Sequence, residues 1–194
     1  MTDGVNTTLA ALAILAQFGT VLVVVAIVAA AVSPGARAAL VGSWDAVGRQ
    51  AVWAAWFVAA VATGGSLFFS EIADFPPCQY CWYQRICMYP LVAILLVGAL
   101  LKDRRVSLYA AVFPLVGAVI SIYHIYIEVN PDKESATCKA GIPCATRWID
   151  EFGYVTIPVM ALSAFALIAS LLVVSFIAGR KAGSGDDPGS APAG

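Results

Sequence analysis

Charged side chains are scarce in this sequence. Only 12% of its 194 residues are Asp, Glu, Lys or Arg, whereas soluble globular proteins carry about 25%. The 11 basic and 12 acidic residues nearly cancel, and a formal net charge of −1 gives no basic surplus for binding nucleic acid. Hydrophobic residues make up 61% of the chain. This composition excludes a soluble protein and indicates a membrane domain.

Several common signals are also missing. The sequence has no glycine-rich phosphate-binding loop and no internal repeat of solenoid period. Its leader, MTDGVNTT, has no basic residue and contains Asp3. The apolar run that follows is longer than the roughly 7–15 residues of a signal-peptide core. We therefore expect this run to be a retained transmembrane helix.

Five apolar runs are long enough to cross a hydrocarbon core of about 30 Å, which takes about 20 helical residues. They cover approximately residues 9–32, 51–69, 82–101, 106–127 and 155–178. The predicted fold is an all-α membrane protein, in which one extra N-terminal transmembrane helix precedes a four-helix transmembrane bundle. The predicted divisions are residues 1–50 (extra helix and cytoplasmic linker), 51–178 (bundle) and 179–194 (disordered cytoplasmic tail).

Basic residues are concentrated at three places outside the apolar runs, namely two connecting loops and the segment after the last run, and they predict the orientation. By the positive-inside rule these segments are cytoplasmic, and the N-terminus and the other two loops lie outside. The residues concerned are Arg37 and Arg49 after the first run, Lys102, Arg104 and Arg105 after the third, and Arg180 and Lys181 after the fifth.

Four of the five cysteines fall on the predicted outer side, where disulfides form and persist. These are Cys78, Cys81, Cys138 and Cys144, whereas Cys87 lies within a span and is expected to be a buried, inert thiol. Two pairs on one membrane face indicate a relay, in which one disulfide receives two electrons and passes them to the other pair. Two alternatives remain open at this point: ordinary structural disulfides, or a zinc site built from four sulfurs.

The stretch PCQYCWYQR carries the most specific pattern. Pro76 and Pro77 interrupt the preceding chain, so a helix can begin at or just after Cys78. Cys81 and Arg85 are four residues apart and share one face of that helix. A helix N-terminus and a guanidinium both favour a thiolate, so we expect Cys81 to be the acidic, reactive sulfur.

The outer end of the fourth run contributes the one histidine of the sequence. His124 should lie at the same depth as Arg85, because one span begins and the other ends on the outer side. Glu128, one turn beyond, is expected to be a solvated loop acid. In the loop that follows, residues 147–152 alternate in a way that predicts a short interfacial helix.

These residues match a known pattern. CQYCWYQR resembles the cysteine motif of the disulfide bond formation protein B (DsbB) family, and GIPCATRWIDEFGYVTIP is similar to the Gram-positive BdbC-type branch. The likeness covers roughly residues 51–178. It implies a four-helix protein of the bacterial plasma membrane that reoxidises an extracytoplasmic thioredoxin-fold oxidant of DsbA or BdbD type. The electrons then pass to a membrane quinone, either menaquinone or ubiquinone.

The resemblance also implies roles for the cysteines. Cys81 matches the cysteine that contacts the quinone ring, and Cys78 matches its disulfide partner. Cys138 matches the cysteine attacked by the partner protein, and Cys144 the one that next reaches Cys78.

Arg85 matches an arginine that assists the quinone, and His124 a histidine near the quinone pocket. No resident metal is expected. The first span has no counterpart in the family and places the N-terminus outside. Two other functions remain as alternatives: a vitamin K epoxide reductase-like enzyme, in which the loop cysteines precede the CxxC motif, and a non-enzymatic membrane scaffold with structural disulfides.

Overall fold

The computed structural model describes residues 2–33, 44–103 and 105–185. Its helices in chain order are α1 (Thr2–Val32), α2 (Trp44–Glu71), α3 (Gln79–Leu100), α4 (Val106–Ala110), α5 (Val112–Val129), a 3-10 turn (Pro131–Lys133), α6 (Ala136–Ala140) and α7 (Ile157–Gly185). Extended pairing within these ranges is limited to one isolated bridge, between Glu151 and Val155. The prediction of an all-α protein is confirmed.

Five helical stretches of the described chain are long and apolar enough to cross a membrane. They are Gly4–Val32, Ala46–Glu71, Gln79–Leu100, Val106–Val129 and Ile157–Arg180, in agreement with the five predicted runs. The fourth combines α4 and α5, which meet at Ala111. Pro114 accounts for this break, because its nitrogen has no hydrogen to donate to the carbonyl of Ala110. The protein is a multi-pass membrane protein.

Helix α7 is central to the bundle, since it packs against α1, α2 and α5, while α3 packs against α2 and α5. Leu91 and Leu95 of α3 and Phe165 and Ile168 of α7 are fully buried in the main core cluster. Gly117 of α5 admits the Phe165 ring, because a Cβ at this glycine would lie 2.3 Å from the ring Cζ. The contact between α5 and α7 therefore depends on the absence of a side chain at that position.

Helix α1 lies against one side of the bundle. Ala10 and Ala13 are buried in a small cluster with Val155, and Gln17 Nε2 donates a hydrogen bond of 3.0 Å to Ser163 Oγ on α7. Towards its C-terminal end, large apolar side chains such as Leu22 are exposed, as expected of a helix surrounded by lipid. The contacts of α1 with the bundle are thus concentrated in its first half.

Two sequence expectations differ from the structure in the connecting regions. Helix α7 continues to Gly185, beyond the expected start of the tail at residue 179. The linker at residues 34–43 and the tail at 186–194 lie outside the described residues. Residues 147–152 do not form the expected interfacial helix. Phe152 and Gly153 adopt positive φ angles of 55° and 76°, which close a tight turn and allow the Glu151–Val155 bridge.

Candidate functional site

Cys78 is the N-cap of α3, as the double proline predicts. Its backbone is extended (φ −72°, ψ 175°), and its sulfur accepts a hydrogen bond of 3.4 Å from the backbone N–H of Cys81. The two sulfurs lie 3.2 Å apart as free thiols. A sulfur at this position replaces the usual oxygen cap and receives one of the helix's unpaired N–H groups.

The environment of Cys78 favours its thiolate. A hydrogen bond from the Cys81 thiol is the largest influence, and the His124 imidazole adds a second hydrogen bond and a charge interaction. Burial alone would raise the pKa of Cys78, but these contacts outweigh it and lower the pKa from 9.0 to about 4. The sequence expectation gave the acidic sulfur to Cys81, whereas the structure gives the stabilising contacts to Cys78.

His124 lies between the two cysteine pairs. Its Nε2 is 3.0 Å from the backbone carbonyl oxygen of Cys144 and 3.6 Å from Cys78 Sγ. Because a carbonyl only accepts, Nε2 carries the hydrogen, and Nδ1 accepts from Gln84 Nε2 at 3.5 Å. Gln84 also donates to Ser121 Oγ at 3.1 Å. The imidazole is therefore fixed in one orientation with its N–H between Cys78 and Cys144.

Two residues of this network were not identified from the sequence. Gln84 and Ser121 are buried polar groups within spans, a feature that itself indicates function or helix pairing.

Glu128 was expected to be solvated but is only 7% exposed, and it accepts a hydrogen bond of 2.8 Å from Thr156 Oγ1. The distant chain segment at the start of α7 covers this carboxylate, which no local pattern could predict.

The second cysteine pair, Cys138 and Cys144, forms a disulfide with its Cα atoms 5.6 Å apart. Both residues are 1% exposed. Ser135 caps α6 by accepting from the N–H of Cys138 at 3.3 Å. The Glu134 carboxylate accepts from the N–H groups of Cys144 and Ala145. These bonds hold the disulfide loop over the N-terminal end of α3, where Cys78 packs in the same cluster.

A cavity of about 380 Å³ lies on the other side of α3, between α1, α2, α3 and α7. Cys81, Gln84 and Arg85 form its polar end. The remaining lining is largely apolar, and at the mouth Phe75 stacks on Trp148 with ring centroids 5.4 Å apart. Cys81 is therefore the cysteine that faces the cavity.

Arg85 is 9% exposed and is fixed by α2. Its Nε donates to Ser66 Oγ and its Nη2 to the Ser66 carbonyl, both at 3.0 Å. Its guanidinium also lies over the Trp82 ring, 5.2 Å from the centroid. No acidic side chain among the described residues pairs with Arg85, so its positive charge remains available at the cavity wall. Arg85 and His124 lie on different sides of α3 and do not meet.

The lining of the cavity does not include His124. The structure thus separates the six predicted site residues into two groups. One group lies where the loop disulfide meets the N-terminal end of α3, and it comprises Cys78, His124, Cys138 and Cys144. The other borders the cavity, and comprises Cys81 and Arg85. Cys87 is a free thiol in the main core, apart from both groups.

Cys78, Cys81 and His124 also bring three possible metal-ligand atoms within 4.8 Å of one another. This donor set resembles a three-ligand catalytic zinc site. However, the histidine nitrogen that faces the sulfurs carries the hydrogen bonded to the Cys144 carbonyl. In this arrangement it has no lone pair to offer a metal ion.

This chain is similar to several known proteins. Residues 48–178 match the family described as disulfide bond formation protein DsbB. The disulfide bond formation protein C of Bacillus subtilis is 45% identical over 132 residues, which is 67% of this chain and 94% of that protein. A probable disulfide formation protein C of Halalkalibacterium halodurans is 47% identical over 122 residues, 61% of this chain and 89% of the relative. No solved structure matches this chain significantly.

Proposed function

Because the chain belongs to the DsbB family, in its Gram-positive BdbC-like branch, and so acts in disulfide bond formation, we propose that it is a protein-dithiol:quinone oxidoreductase. Its electron donor is a reduced extracytoplasmic thioredoxin-fold oxidant, and its acceptor is a membrane quinone. The observation that supports this assignment best is the position of Cys81, which borders both the cysteine cluster and the cavity.

The first step is a thiol–disulfide exchange at the loop. A thiolate of the reduced partner attacks Cys138, the Cys138–Cys144 bond breaks, and Cys144 leaves as a thiolate. The second partner thiol then displaces Cys138, so the partner leaves as a disulfide and both loop cysteines are reduced. Cys138 and Cys144 are almost fully buried. The loop must therefore open for this attack.

The second exchange moves the electron pair to the inner cysteines. In the oxidised Cys78–Cys81 pair, Cys144 attacks Cys78 and Cys81 leaves as a thiolate. Cys138 then attacks Cys144, which reforms the loop disulfide and releases Cys78 as a thiolate. The product has an oxidised loop pair and a reduced inner pair, which is compatible with the Cys138–Cys144 disulfide and the free Cys78 and Cys81 of the structure. We assign His124 to this step, since its Nε2–H lies between Cys78 and Cys144.

The cavity fits a quinone. Its volume of about 380 Å³ lies within the roughly 300–1,000 Å³ typical of small-molecule sites. Cys81, Gln84 and Arg85 would hold the polar ring, with the apolar lining beyond them. A bound quinone supplies an acceptor for two electrons and two protons. Arg85 provides a fixed positive charge that stabilises negative charge at that end of the cavity.

The proposal is tested with the full chain in lipid nanodiscs. A reduced thioredoxin-fold oxidant and a menaquinone carrying two isoprene units are added, and partner thiols and quinol are both measured. We expect one quinol for each two partner thiols lost. Cys81→Ser should abolish quinol formation, and Arg85→Ala should slow it by about 10²-fold, as loss of one oxyanion-stabilising donor does.

Cys87→Ser is the matched control, because this thiol lies on the same helix but in the core. It should retain quinol formation. Quinone that stays fully oxidised in the presence of wild-type protein and reduced partner would rule out the proposal. A structural scaffold would in addition keep its disulfides in glutathione buffers, since such bonds have potentials below about −300 mV.

A further inference from the structure

Helix α1 forms one wall of the cavity that also contains Cys81 and Arg85. The α1 residues that line it are Leu9, Leu12, Ala13, Leu15 and Ala16. They cover about two helical turns, or about 10 Å at 1.5 Å per residue. The family match begins at residue 48, so the part of α1 that forms this wall lies outside the matched region.

The two ends of this wall differ in their surroundings. At one end Leu9 packs by Gly65, where an added Cβ would be 3.1 Å from Leu9 Cδ2. Gly65 directly precedes Ser66, which holds the Arg85 guanidinium. At the other end Ala16 lies two turns further along α1, and Leu167 packs against the next turn, where a Cβ at Gly19 would be 3.4 Å from Leu167 Cδ1. The cavity thus extends from a polar end at Arg85 to an apolar end at Ala16.

The wall is held in place by direct bonds to the bundle. Gln17 accepts from the Tyr154 hydroxyl at 3.1 Å and donates to Ser163 at 3.0 Å. Ala10 and Ala13 are buried against the start of α7. The first half of α1 is therefore a fixed part of the cavity rather than a loosely associated anchor.

We infer that α1 binds the first isoprene units of the quinone tail, through Leu12, Leu15 and Ala16 facing Phe57 and Leu167. This inference rests on the proposed function and adds the part of the ligand that α1 recognises. A tail enters the cavity from lipid, so its affinity comes from close packing in the protein rather than from leaving water. The shape of the α1 wall should consequently decide how well a tailed quinone binds.

Two ligands with related rings separate tail binding from ring binding. One is a menaquinone with two isoprene units, and the other is 2,3-dimethyl-1,4-naphthoquinone, which has no tail. Binding to the purified full chain is measured by quenching of tryptophan fluorescence, since Trp148 lines the cavity. This readout requires no turnover and no partner protein.

Ala16→Phe fills the apolar end, and Leu15→Ala removes one wall side chain. We expect the dissociation constant of the tailed quinone to rise about tenfold in Ala16→Phe and about threefold in Leu15→Ala. The tailless quinone should bind both variants as it binds the wild type. Ala11→Phe is the matched control, because Ala11 is exposed on α1 and does not line the cavity. It should leave both affinities unchanged.

The outcomes distinguish the two claims. Wild-type protein that binds neither quinone would contradict the proposed function itself. If the wild type binds both, unchanged affinity of the tailed quinone in Ala16→Phe and Leu15→Ala overturns the role of α1 alone. Equal weakening of both quinones overturns it as well, since α1 would then act on the ring. Should Ala16→Phe fail to fold, the exposed Leu15→Ala variant decides the question.

Discussion

His124 connects two redox pairs that are far apart in the sequence. One imidazole N–H faces both the Cys144 carbonyl and the Cys78 sulfur, and Gln84 fixes the ring from the other side. In this position the histidine can stabilise the Cys78 thiolate as it leaves. It also holds the backbone of the Cys144 loop near the inner pair. Both effects would serve the exchange that we propose between the pairs.

Replacing His124 by Ala should slow electron transfer from the loop pair to the inner pair by about 10²-fold, the lower range for loss of an acid–base group. Rapid acid quenching followed by alkylation would show reduced Cys138 and Cys144 accumulating while Cys78 remains oxidised. Tyr123→Phe, on an exposed neighbour, is the control and should exchange at the wild-type rate. Unchanged exchange in His124→Ala would remove the histidine from the mechanism.

The lowered pKa of Cys78 gives a second residue-level prediction, on the reduced protein. Because its pKa is about 4 rather than 9.0, the thiolate persists over the intervening pH range. Alkylation of Cys78 by iodoacetamide should be nearly independent of pH above about 5 and decline as the pH falls through about 4. The stabilisation of the fold by this thiolate is complete above about pH 9 and is lost progressively as the pH falls towards about 4, because the unfolded thiol takes up its proton at a higher pH than the folded one.

Mass spectrometry of the peptide containing Cys78 would follow this reaction. Cys81→Ala removes the largest cause of the shift, so its alkylation should again rise steeply with pH towards 9. A wild-type profile that already rises in this way would show that the contacts around Cys78 do not act as described.

At the scale of helices, the contact between α5 and α7 depends on Gly117. An alanine Cβ there would lie 2.3 Å from the Phe165 ring, which is fully buried and cannot retreat without moving the core. Gly117→Ala should therefore lower stability by about 1–3 kcal/mol, the usual cost of overpacking. Thermal unfolding in detergent would measure the change.

Gly64→Ala is the comparison, because a Cβ at that position would have no atom within 4 Å among the described residues, apart from its chain neighbours and its own helix backbone. We expect its unfolding temperature to equal or slightly exceed that of the wild type, since alanine favours a helix over glycine by about 0.5–1 kcal/mol. Equal stability of the two variants would mean that α5 and α7 adjust freely to one another.

For the whole molecule, the distribution of basic residues predicts that the cysteine loops face outwards. Asp132 and Lys102 are both exposed and lie at opposite ends of the fourth span. In a cysteine-free background, Asp132→Cys should react with a membrane-impermeant maleimide in intact cells, and Lys102→Cys only after permeabilisation. The reverse pattern would place the disulfide loop in the cytoplasm and contradict the proposed partner.

The features predicted from the sequence are those set by neighbouring residues. Apolar runs of sufficient length predicted five spans, and Pro76 and Pro77 predicted a helix start that the structure places at Cys78. The pairing of Arg85 with Cys81 on one side of α3 also follows from their four-residue spacing, and both line the cavity.

Features that depend on chain segments meeting from afar were missed. The sequence could not show that Thr156 covers Glu128, or that the Cys144 loop reaches His124. Helical periodicity at residues 147–152 gave the wrong local structure, because the turn at Gly153 depends on the return of the chain into α7. The packing of α1 along the cavity had no local signal either.

The stacking of Trp148 on Phe75 joins the loop to the mouth of the cavity. Only three residues separate Trp148 from Cys144, so this connection spans at most about 14 Å. If the proposed donor opens the loop, a large displacement of Cys144 would also move the stacked Phe75–Trp148 pair. In the proposed mechanism, docking of the donor and exchange of the lipid-soluble acceptor would then involve the same segment, and we expect the order in which the two substrates arrive to affect the turnover rate.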